Sequence, residues 1–368
     1  MNKIVYIIFL SLIVFQGFSQ KTKISSADKE YDRFAYIDAI ATYERVAEKG
    51  YKNEEMFRKL GNAYYFNAEL EKASKWYDAL FEMNSNQEAE YYYRYSQSLK
   101  AVGNYAKADK MLEQFNKKSG NEQRAKLFEK NRDYLAQIKS NSGRFKIEDA
   151  GINSELSDYG SSFYGKQLVF ASARDTGGIA KKVFRWTNQS FTNLYVSNID
   201  ENWNLSTPKR LSTTINSKFH ESTPVFTKDG STMYFTRNNQ LKSKFETDSL
   251  KNVLLKIYKA TFDGKRWGKI EELPFNSNQF NCAHPALSAD EDYLYFSSDM
   301  PGSFGDSDLY RVSIKNNTYG EPENLGNKIN TEARETFPFI SADNELYFAS
   351  DGHPGLGGLD VFVAQLKQ

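Results

Sequence analysis

The first third of the chain distributes its apolar residues with the period of an α-helix. Ala39, Ala73 and Ala108 recur 34 and 35 residues apart, and large apolar or aromatic side chains follow each of them within four residues. Because residues three and four apart share one helix face, this pattern predicts pairs of helices that repeat along the chain. Small residues at these positions allow the paired helices to approach closely.

After a polar stretch at residues 140–143, the period changes to that of β-strands. Four segments read as a strand, a tight turn and a second strand, and a further apolar strand follows each of them. These hairpins cover residues 162–172, 223–236, 284–298 and 337–350. An Ile-Asn-Ser, Ile-Asn-Thr or Phe-Asn-Ser sequence precedes each hairpin. A four-stranded unit repeated about every 50 to 60 residues predicts the blades of a β-propeller.

The best helical unit carries a recognisable motif. Its residues are Phe57, Leu60, Gly61 and Tyr64 in one helix and Ala73 and Tyr77 in the next. This spacing resembles the tetratricopeptide repeat, which implies a helical-repeat domain at 25–140 whose concave face binds peptides or partner domains.

The strand-rich segments resemble the WD40-like, or PD40, propeller repeat of the TolB type, with its Pro-x-Phe-Ser-x-Asp-Gly and Leu-Tyr-Phe-Ser-Ser core. The copies that begin at Thr223 and Phe337 fit this core best. The expected fold is therefore an α + β multidomain chain, with an all-α TPR domain followed by an all-β propeller of four recognisable blades over residues 144–368. The segment Phe145–Glu148 stands where an outer strand precedes the other copies, so we expect it to complete the last blade. A fragment of a larger propeller is the alternative.

The N-terminus predicts export. Lys3 precedes an apolar run from Ile4 to Phe15, and small residues follow at Gly17 and Ser19. This pattern is typical of a signal peptide over residues 1–19. The run is shorter than the roughly 20 residues that span a bilayer, so a membrane anchor is the weaker alternative. We expect no transmembrane segment after cleavage, and a periplasmic location.

Composition narrows the partners. The net charge is +1, so the strongly basic face typical of a nucleic-acid-binding protein is not expected. Cys282 is the only cysteine, so no disulfide can form within the chain.

Candidate chemistry is sparse. The acidic loops at 299–308 and 351–360 could hold calcium, but Asx turns explain their composition equally well. Ser303 lies in Pro-Gly-Ser-Phe-Gly, which departs from the nucleophile-elbow motif at its first position. The three histidines are expected to be hydrogen-bonding loop residues: His220, His284 and His353. The sequence thus predicts no catalytic residue, no metal and no cofactor, and a protein that is not an enzyme.

Four tyrosines are candidates for partner binding. Tyr91, Tyr92, Tyr93 and Tyr95 cannot all face inward, because successive residues of a helix point about 100° apart.

The order of signal peptide, TPR repeats and TolB-type propeller resembles that of periplasmic proteins whose longer members end in an OmpA-like peptidoglycan-binding domain. Some of those proteins serve type IX secretion and gliding. The resemblance implies a non-catalytic periplasmic scaffold, associated with the outer membrane, that binds envelope or outer-membrane proteins. Peptidoglycan contact is expected only if a further C-terminal domain exists. The alternative is a carbohydrate- or peptide-binding, or hydrolytic, propeller with its site at the central channel.

Overall fold

The computed structural model describes residues 20–174, 183–241 and 244–366. Within these ranges a helical segment precedes a four-bladed β-propeller, so the predicted fold class is confirmed. The predicted signal peptide at 1–19 lies outside the described residues. No helix in the described ranges is both long and apolar enough to cross a membrane.

The described part of the chain contains eight helices. They are α1 (from residue 20 to 31), α2 (Tyr36–Ala47), α3 (Glu54–Phe66), α4 (Leu70–Met83), α5 (Ala89–Ala101), α6 (Tyr105–Ser119), α7 (Gln123–Lys130) and α8 (Tyr134–Ser140). Asn53 caps α3 by accepting a hydrogen bond from Met56 N–H at 2.9 Å. Leu60 and Tyr77 are fully buried between α3 and α4. A Cβ at Gly61 would overlap the Tyr77 ring, so the glycine of the motif is what allows this close approach.

The contacts divide the described chain into two units. The helical unit comprises the chain up to Asn121 together with Val183–Gln189 and Leu356–Gly358, and the propeller unit comprises the rest. Helices α7 and α8 therefore group with the strands. The domain limits at 25–140 and 144–368 stay predictions.

Two segments from the second half of the chain, Val183–Gln189 and Leu356–Gly358, belong to the helical unit. Trp186 stacks on Phe34 with ring centroids 5.8 Å apart and meets Tyr36 edge-on at 4.8 Å. Arg185 forms an ion pair of 2.6 Å with Asp38. Aromatic burial of this kind adds several contacts to the core of the helical unit.

Twenty strands follow in the described ranges. In chain order they are β1 (Asp158–Tyr164), β2 (Gln167–Ser172), β3 (Val183–Phe184), β4 (Gln189–Ser190), β5 (Asn193–Asn198), β6 (Lys209–Arg210), β7 (Glu221–Phe226), β8 (Thr232–Asn238), β9 (Gln240–Leu241), β10 (Lys244–Phe245), β11 (Leu255–Phe262), β12 (Trp267–Glu272), β13 (Cys282–Leu287), β14 (Tyr293–Ser298), β15 (Asp308–Lys315), β16 (Thr318–Tyr319), β17 (Glu323–Asn324), β18 (Glu335–Ile340), β19 (Glu345–Ser350) and β20 (Asp360–Gln365).

Antiparallel sheets form the blades. Their strand orders are β1-β2-β5-β6, β12-β11-β8-β7, β13-β14-β15 with β16 and β17 on β15, and β18-β19-β20. The blades pack face to face through apolar side chains. Phe235 and Leu194 share one such core, Leu294 and Ile257 share the next, and Leu309 and Phe348 share the third. Five of these six side chains are wholly buried, and Phe348 is nearly so. The removal of such apolar side chains from water is the main force that stabilises the packed blades.

The last blade has three strands in the part of the chain that the structure describes. Among these residues β20 pairs with β19 on one side and with no strand on the other. The outer strand that the sequence predicts at Phe145–Glu148 is not formed in the structure. Phe145 is 68% exposed and Ile147 is 92% exposed. The expectation that this segment completes the last blade is therefore wrong for the conformation described.

Candidate functional site

The four innermost strands share one irregularity. Each contains a β-bulge where the register shifts by an extra residue: between Tyr159 and Ser162, Ser222 and Val225, Ala283 and Ala286, and Thr336 and Phe339. The bulged residues Gly160, Thr223, His284 and Phe337 all have φ between 46° and 62°. This left-handed backbone suits glycine and strains a β-branched threonine.

The bulged side chains meet one another. Thr223 Oγ1 and His284 Nδ1 share a hydrogen bond of 2.8 Å, and the His284 ring lies 3.9 Å from that of Phe337. Phe337 in turn meets Tyr159 of the first blade at 6.0 Å. Burial lowers the pKa of His284 to about 3, so its imidazole is neutral at physiological pH. At this level side chains from all four inner strands therefore contact one another in a chain.

The first residue of three of the four inner strands is acidic. Asp158 pairs with Arg174 at 2.9 Å, and Glu221 pairs with Arg237 at 3.0 Å. In the third blade the equivalent residue is the neutral Cys282, where burial raises the thiol pKa to about 12.

Glu335 opens the last inner strand, and no cation among the described residues lies at its carboxylate. Neutral donors surround it: Thr331 N–H at 2.7 Å, Thr331 Oγ1 at 2.9 Å and Ser350 Oγ at 2.6 Å. Burial raises the pKa of Glu335 to about 7. Sequence reasoning missed these acids, although they share a signal: an acid four residues after the Ser or Thr of the Ile-Asn motif.

The asparagine of that motif clamps the blade before it. Asn216 donates from Nδ2 to the Leu194 carbonyl at 2.9 Å and accepts from Leu194 N–H at 2.8 Å. Asn330 does the same to Leu309, with distances of 3.0 and 2.8 Å. Asn276 clamps Ile257 in the same way. We call this pair of hydrogen bonds the Asn clamp.

The last blade lacks the Asn clamp within the described residues and exposes its side chains. By register, Val361 in β20 is the equivalent of Leu194, Ile257 and Leu309. Those three are fully buried, whereas Val361 is 75% exposed.

Three further side chains lie on the same side of this blade. Phe339 is paired with Tyr347, and Tyr347 with Val363, in a row across the three strands. Phe339 and Val363 are also exposed, and Tyr347 is half-buried. We call Phe339, Tyr347, Val361 and Val363 the last-blade face.

The tyrosines predicted to bind partners lie in α5. Tyr92, Tyr93 and Tyr95 are buried, and Tyr91 is half-buried. The Arg58 guanidinium lies 5.5 Å from the centre of the Tyr91 ring. Of the four, Tyr91 alone leaves an appreciable surface for a partner, and its binding role stays a prediction.

The predicted acidic loops use their carboxylates locally. Asp308 accepts from Phe304 N–H at 2.8 Å, and Asp351 pairs with Arg334 at 2.6 Å. His353 Nε2 lies 2.8 Å from the Ile329 carbonyl oxygen. The described ranges contain no group of three or more His, Cys, Asp or Glu residues placed to hold a metal ion.

Comparisons with known proteins assign neither a family nor a function to the chain. No protein family and no curated protein matches the chain. Solved structures that resemble it include a thermostable family-43 glycoside hydrolase, at 13% identity and a TM-score of 0.38, over 56% of this chain and 70% of that one. A puromycin-hydrolysing peptidase of Mycobacterium tuberculosis matches at 13% identity and a TM-score of 0.33, over 60% of this chain and 39% of that one.

A structure assigned as TolB from Agrobacterium tumefaciens also resembles the chain. It matches at 15% identity and a TM-score of 0.32, over 54% of this chain and 62% of that one. These likenesses assign no activity to this chain. The expectation that this chain is not an enzyme is contradicted, since the solved structures that resemble it at this low identity include hydrolases. The absence of recognised catalytic motifs from the sequence does not exclude hydrolysis. The chain folds as a four-bladed β-propeller whose structural neighbours include a TolB-like protein.

Proposed function

We propose that this chain is an adaptor of the bacterial cell envelope that binds protein partners through its last propeller blade and its helical unit. The observation that supports this most directly is the last-blade face. Apolar side chains stand in solvent there, beside a strand whose outer edge is unpaired in the described structure. An exposed apolar patch next to a free strand edge is the kind of surface that proteins use for partners.

The chemistry of the edge indicates how a partner would bind. An unpaired strand offers a row of backbone N–H and C=O groups, which an extended peptide can satisfy by adding a strand. Val361 and Val363 point to the same side of β20 and would contact alternate side chains of that peptide. We infer that the partner presents an extended segment with apolar residues at alternate positions.

The helical unit contains a largely buried network of polar and aromatic side chains. Arg94 lies 4.9 Å from the centre of the Phe66 ring and donates to Asn62 Oδ1 at 3.0 Å. Asn62 Oδ1 also accepts from Tyr77 O–H at 2.9 Å. This network joins α3, α4 and α5, and it holds a guanidinium in place between helices.

The location and pathway belong to this proposal. The signal-like N-terminus supports a periplasmic location, and the order of modules supports association with the outer membrane. Within that setting we propose envelope or outer-membrane proteins as partners, including those of type IX secretion. Contact with peptidoglycan would need an OmpA-like domain in addition to the helical unit and the propeller.

A photo-crosslinking experiment tests the role of the last blade. The crosslinker p-benzoylphenylalanine replaces Val361 in one variant and Leu250 in a matched control, because both residues are apolar, both lie in the propeller unit, and they are 75% and 79% exposed. We expect a discrete protein adduct in cells from position 361 and none from position 250. No adduct from position 361, or the same adducts from both positions, would contradict the proposed surface.

A further inference from the structure

One connection of the first blade carries an additional hairpin. Residues 173–192 join β2 to β5, whereas the shorter segment 299–307 makes the same connection in the third blade. Within the longer connection, β3 and β4 pair with each other and with no other strand of the described chain. Asn188, with a φ of 56°, donates its N–H to the Phe184 carbonyl at 2.8 Å and closes the turn. We call residues 183–189, which belong to the helical unit, the hairpin tip.

Trp186 of the hairpin tip is packed against aromatic rings. Phe34 and Phe184 both lie nearly parallel to its indole, with ring centroids 5.8 and 6.3 Å away. Tyr36 meets the indole edge-on at 4.8 Å. The indole Nε1 donates to the Phe66 carbonyl at 3.4 Å, at the C-terminal end of α3, where backbone carbonyls have no partner within the helix. These contacts fix both the ring and the polar atom of the tryptophan.

Arg185, the residue before this tryptophan, meets two acids. Its guanidinium lies 2.6 Å from the Asp38 carboxylate of α2 and 2.7 Å from the Glu30 carboxylate of α1. The Arg185 and Asp38 side chains are 56% and 52% exposed. Because ion pairs between exposed groups contribute little to stability, the two acids favour a cation at this place without holding it tightly.

The helices alone supply all the groups that receive the tip. We call the side chains of Glu30, Phe34, Tyr36 and Asp38, together with the carbonyl of Phe66, the tip-binding surface. It lies where α1 ends, α2 begins and α3 ends. Phe34 is still 44% exposed with the tip docked, and its φ of 58° lies in the left-handed region that bulky residues rarely adopt. The surface therefore joins an accessible aromatic ring to a pair of carboxylates.

We propose that the tip-binding surface is a docking site for a protein segment in which an arginine precedes a tryptophan, and that the hairpin tip occupies this site within the same chain. The docked tip shows which groups the surface accepts: an indole against aromatic rings, its N–H on a carbonyl, and a guanidinium between two carboxylates. One guanidinium nitrogen of Arg185 bonds both Glu30 and Asp38, which suits arginine better than lysine. That the natural ligand belongs to a partner of an envelope adaptor rests on the proposed function, whereas the docking chemistry does not.

A partner segment has to compete with the hairpin tip. The tip is tethered to the same chain, so its effective concentration at the surface is in the millimolar range. The apparent affinity of a site that is free in only a fraction of the molecules is reduced by that fraction. We therefore expect the wild-type chain to bind an added segment weakly, and a chain with a disabled tip to bind it more tightly.

Peptide binding to the full chain tests the docking site. The probe is a dye-labelled synthetic peptide of residues 183–189, and fluorescence anisotropy measures its affinity. Arg185→Ala combined with Trp186→Ala disables the tip and leaves the tip-binding surface unchanged. Neither side chain is fully buried, so the helices are expected to stay folded, which circular dichroism checks. The matched control is Trp203→Ala, which removes a tryptophan that is 76% exposed in the propeller unit.

We expect the double variant to bind the peptide at least about tenfold more tightly than either the wild-type chain or Trp203→Ala. Adding Asp38→Lys to the double variant is expected to weaken binding by at least about tenfold, because a like charge then faces the arginine of the peptide. Equal affinities of the wild-type chain and the double variant, no binding to the double variant, or binding that Asp38→Lys leaves unchanged would each overturn the docking site.

The result can be told apart from that of photo-crosslinking at Val361. Peptide binding as expected, without a partner adduct from position 361, would refute the proposed last-blade surface and leave the docking site standing. An adduct from position 361 without peptide binding would overturn the docking site and leave the last-blade surface standing.

Discussion

Replacing Arg237 with methionine is expected to lower the free energy of unfolding of the propeller by about 3–5 kcal/mol. Arg237 is buried and donates from Nε to Glu221 at 3.0 Å, and it also bonds the Ile215 carbonyl. Its removal leaves the fully buried Glu221 carboxylate without a cation. Urea unfolding of the full chain, followed by circular dichroism in the range dominated by strands, measures the loss.

Two variants serve as controls for this prediction. Arg311→Met removes an ion pair with Glu323 that is partly exposed, and we expect it to cost less than about 1 kcal/mol. The double variant Arg237→Met with Glu221→Leu removes both charges and should recover most of the stability lost. If Arg237→Met and Arg311→Met cost the same, the buried pair does not hold the second blade as we describe.

Asn330→Ala is expected to lower the free energy of unfolding by roughly 2–4 kcal/mol. The Asn330 side chain is fully buried and satisfies both the N–H and the C=O of Leu309. Alanine cannot reach either group, so two buried backbone groups lose their partners in one substitution. Thermal unfolding at fixed pH measures the effect.

Asn153→Ala is the matched control, because it changes the same residue of the same motif. Its side chain is exposed in the described conformation, so the expected change is within about 0.5 kcal/mol. Equal losses at the two positions would contradict the role of the Asn clamp, because the exposed Asn153 clamps no strand in the described structure.

The order of helices and strands could be predicted from the sequence, because each element shows in the local spacing of its apolar residues. The 34-residue spacing of alanines and the four hairpins each reflect neighbouring residues that share one face of one element, and the structure confirms both elements. Gly61 was also informative, since a motif that demands a small residue implies a close approach between helices.

The roles of the motif residues could not be read in the same way. The Ile-Asn sequence was visible as a repeat, but Asn216 acts on Leu194, which lies 22 residues earlier in another strand. Such a contact depends on which segments the fold brings together, and the spacing of apolar residues along the chain does not reveal it. The same reason applies to the tyrosines of α5. The sequence indicated that the four cannot all face inward but not which of them lies at the surface, and Tyr92, Tyr93 and Tyr95 are buried whereas Tyr91 is half-buried.

The unformed outer strand shows the limit of arguing from a repeat. The spacing aligned Phe145–Glu148 with β6 and β17, but an aligned position in the sequence does not decide whether a strand forms and pairs. Pairing depends on the free-energy difference between an open and a closed last blade, and that difference is small when only two residues of strand and one clamp are gained.

Amide hydrogen exchange at Val361 tests the open last blade most directly. In the other blades the equivalent N–H groups of Leu194, Ile257 and Leu309 each donate to an asparagine side chain. We predict that the Val361 amide exchanges at least about tenfold faster than the Leu309 amide in the same sample. A Val361 amide as protected as that of Leu309 would contradict an open last blade, because the edge proposed to receive a partner would already be covered.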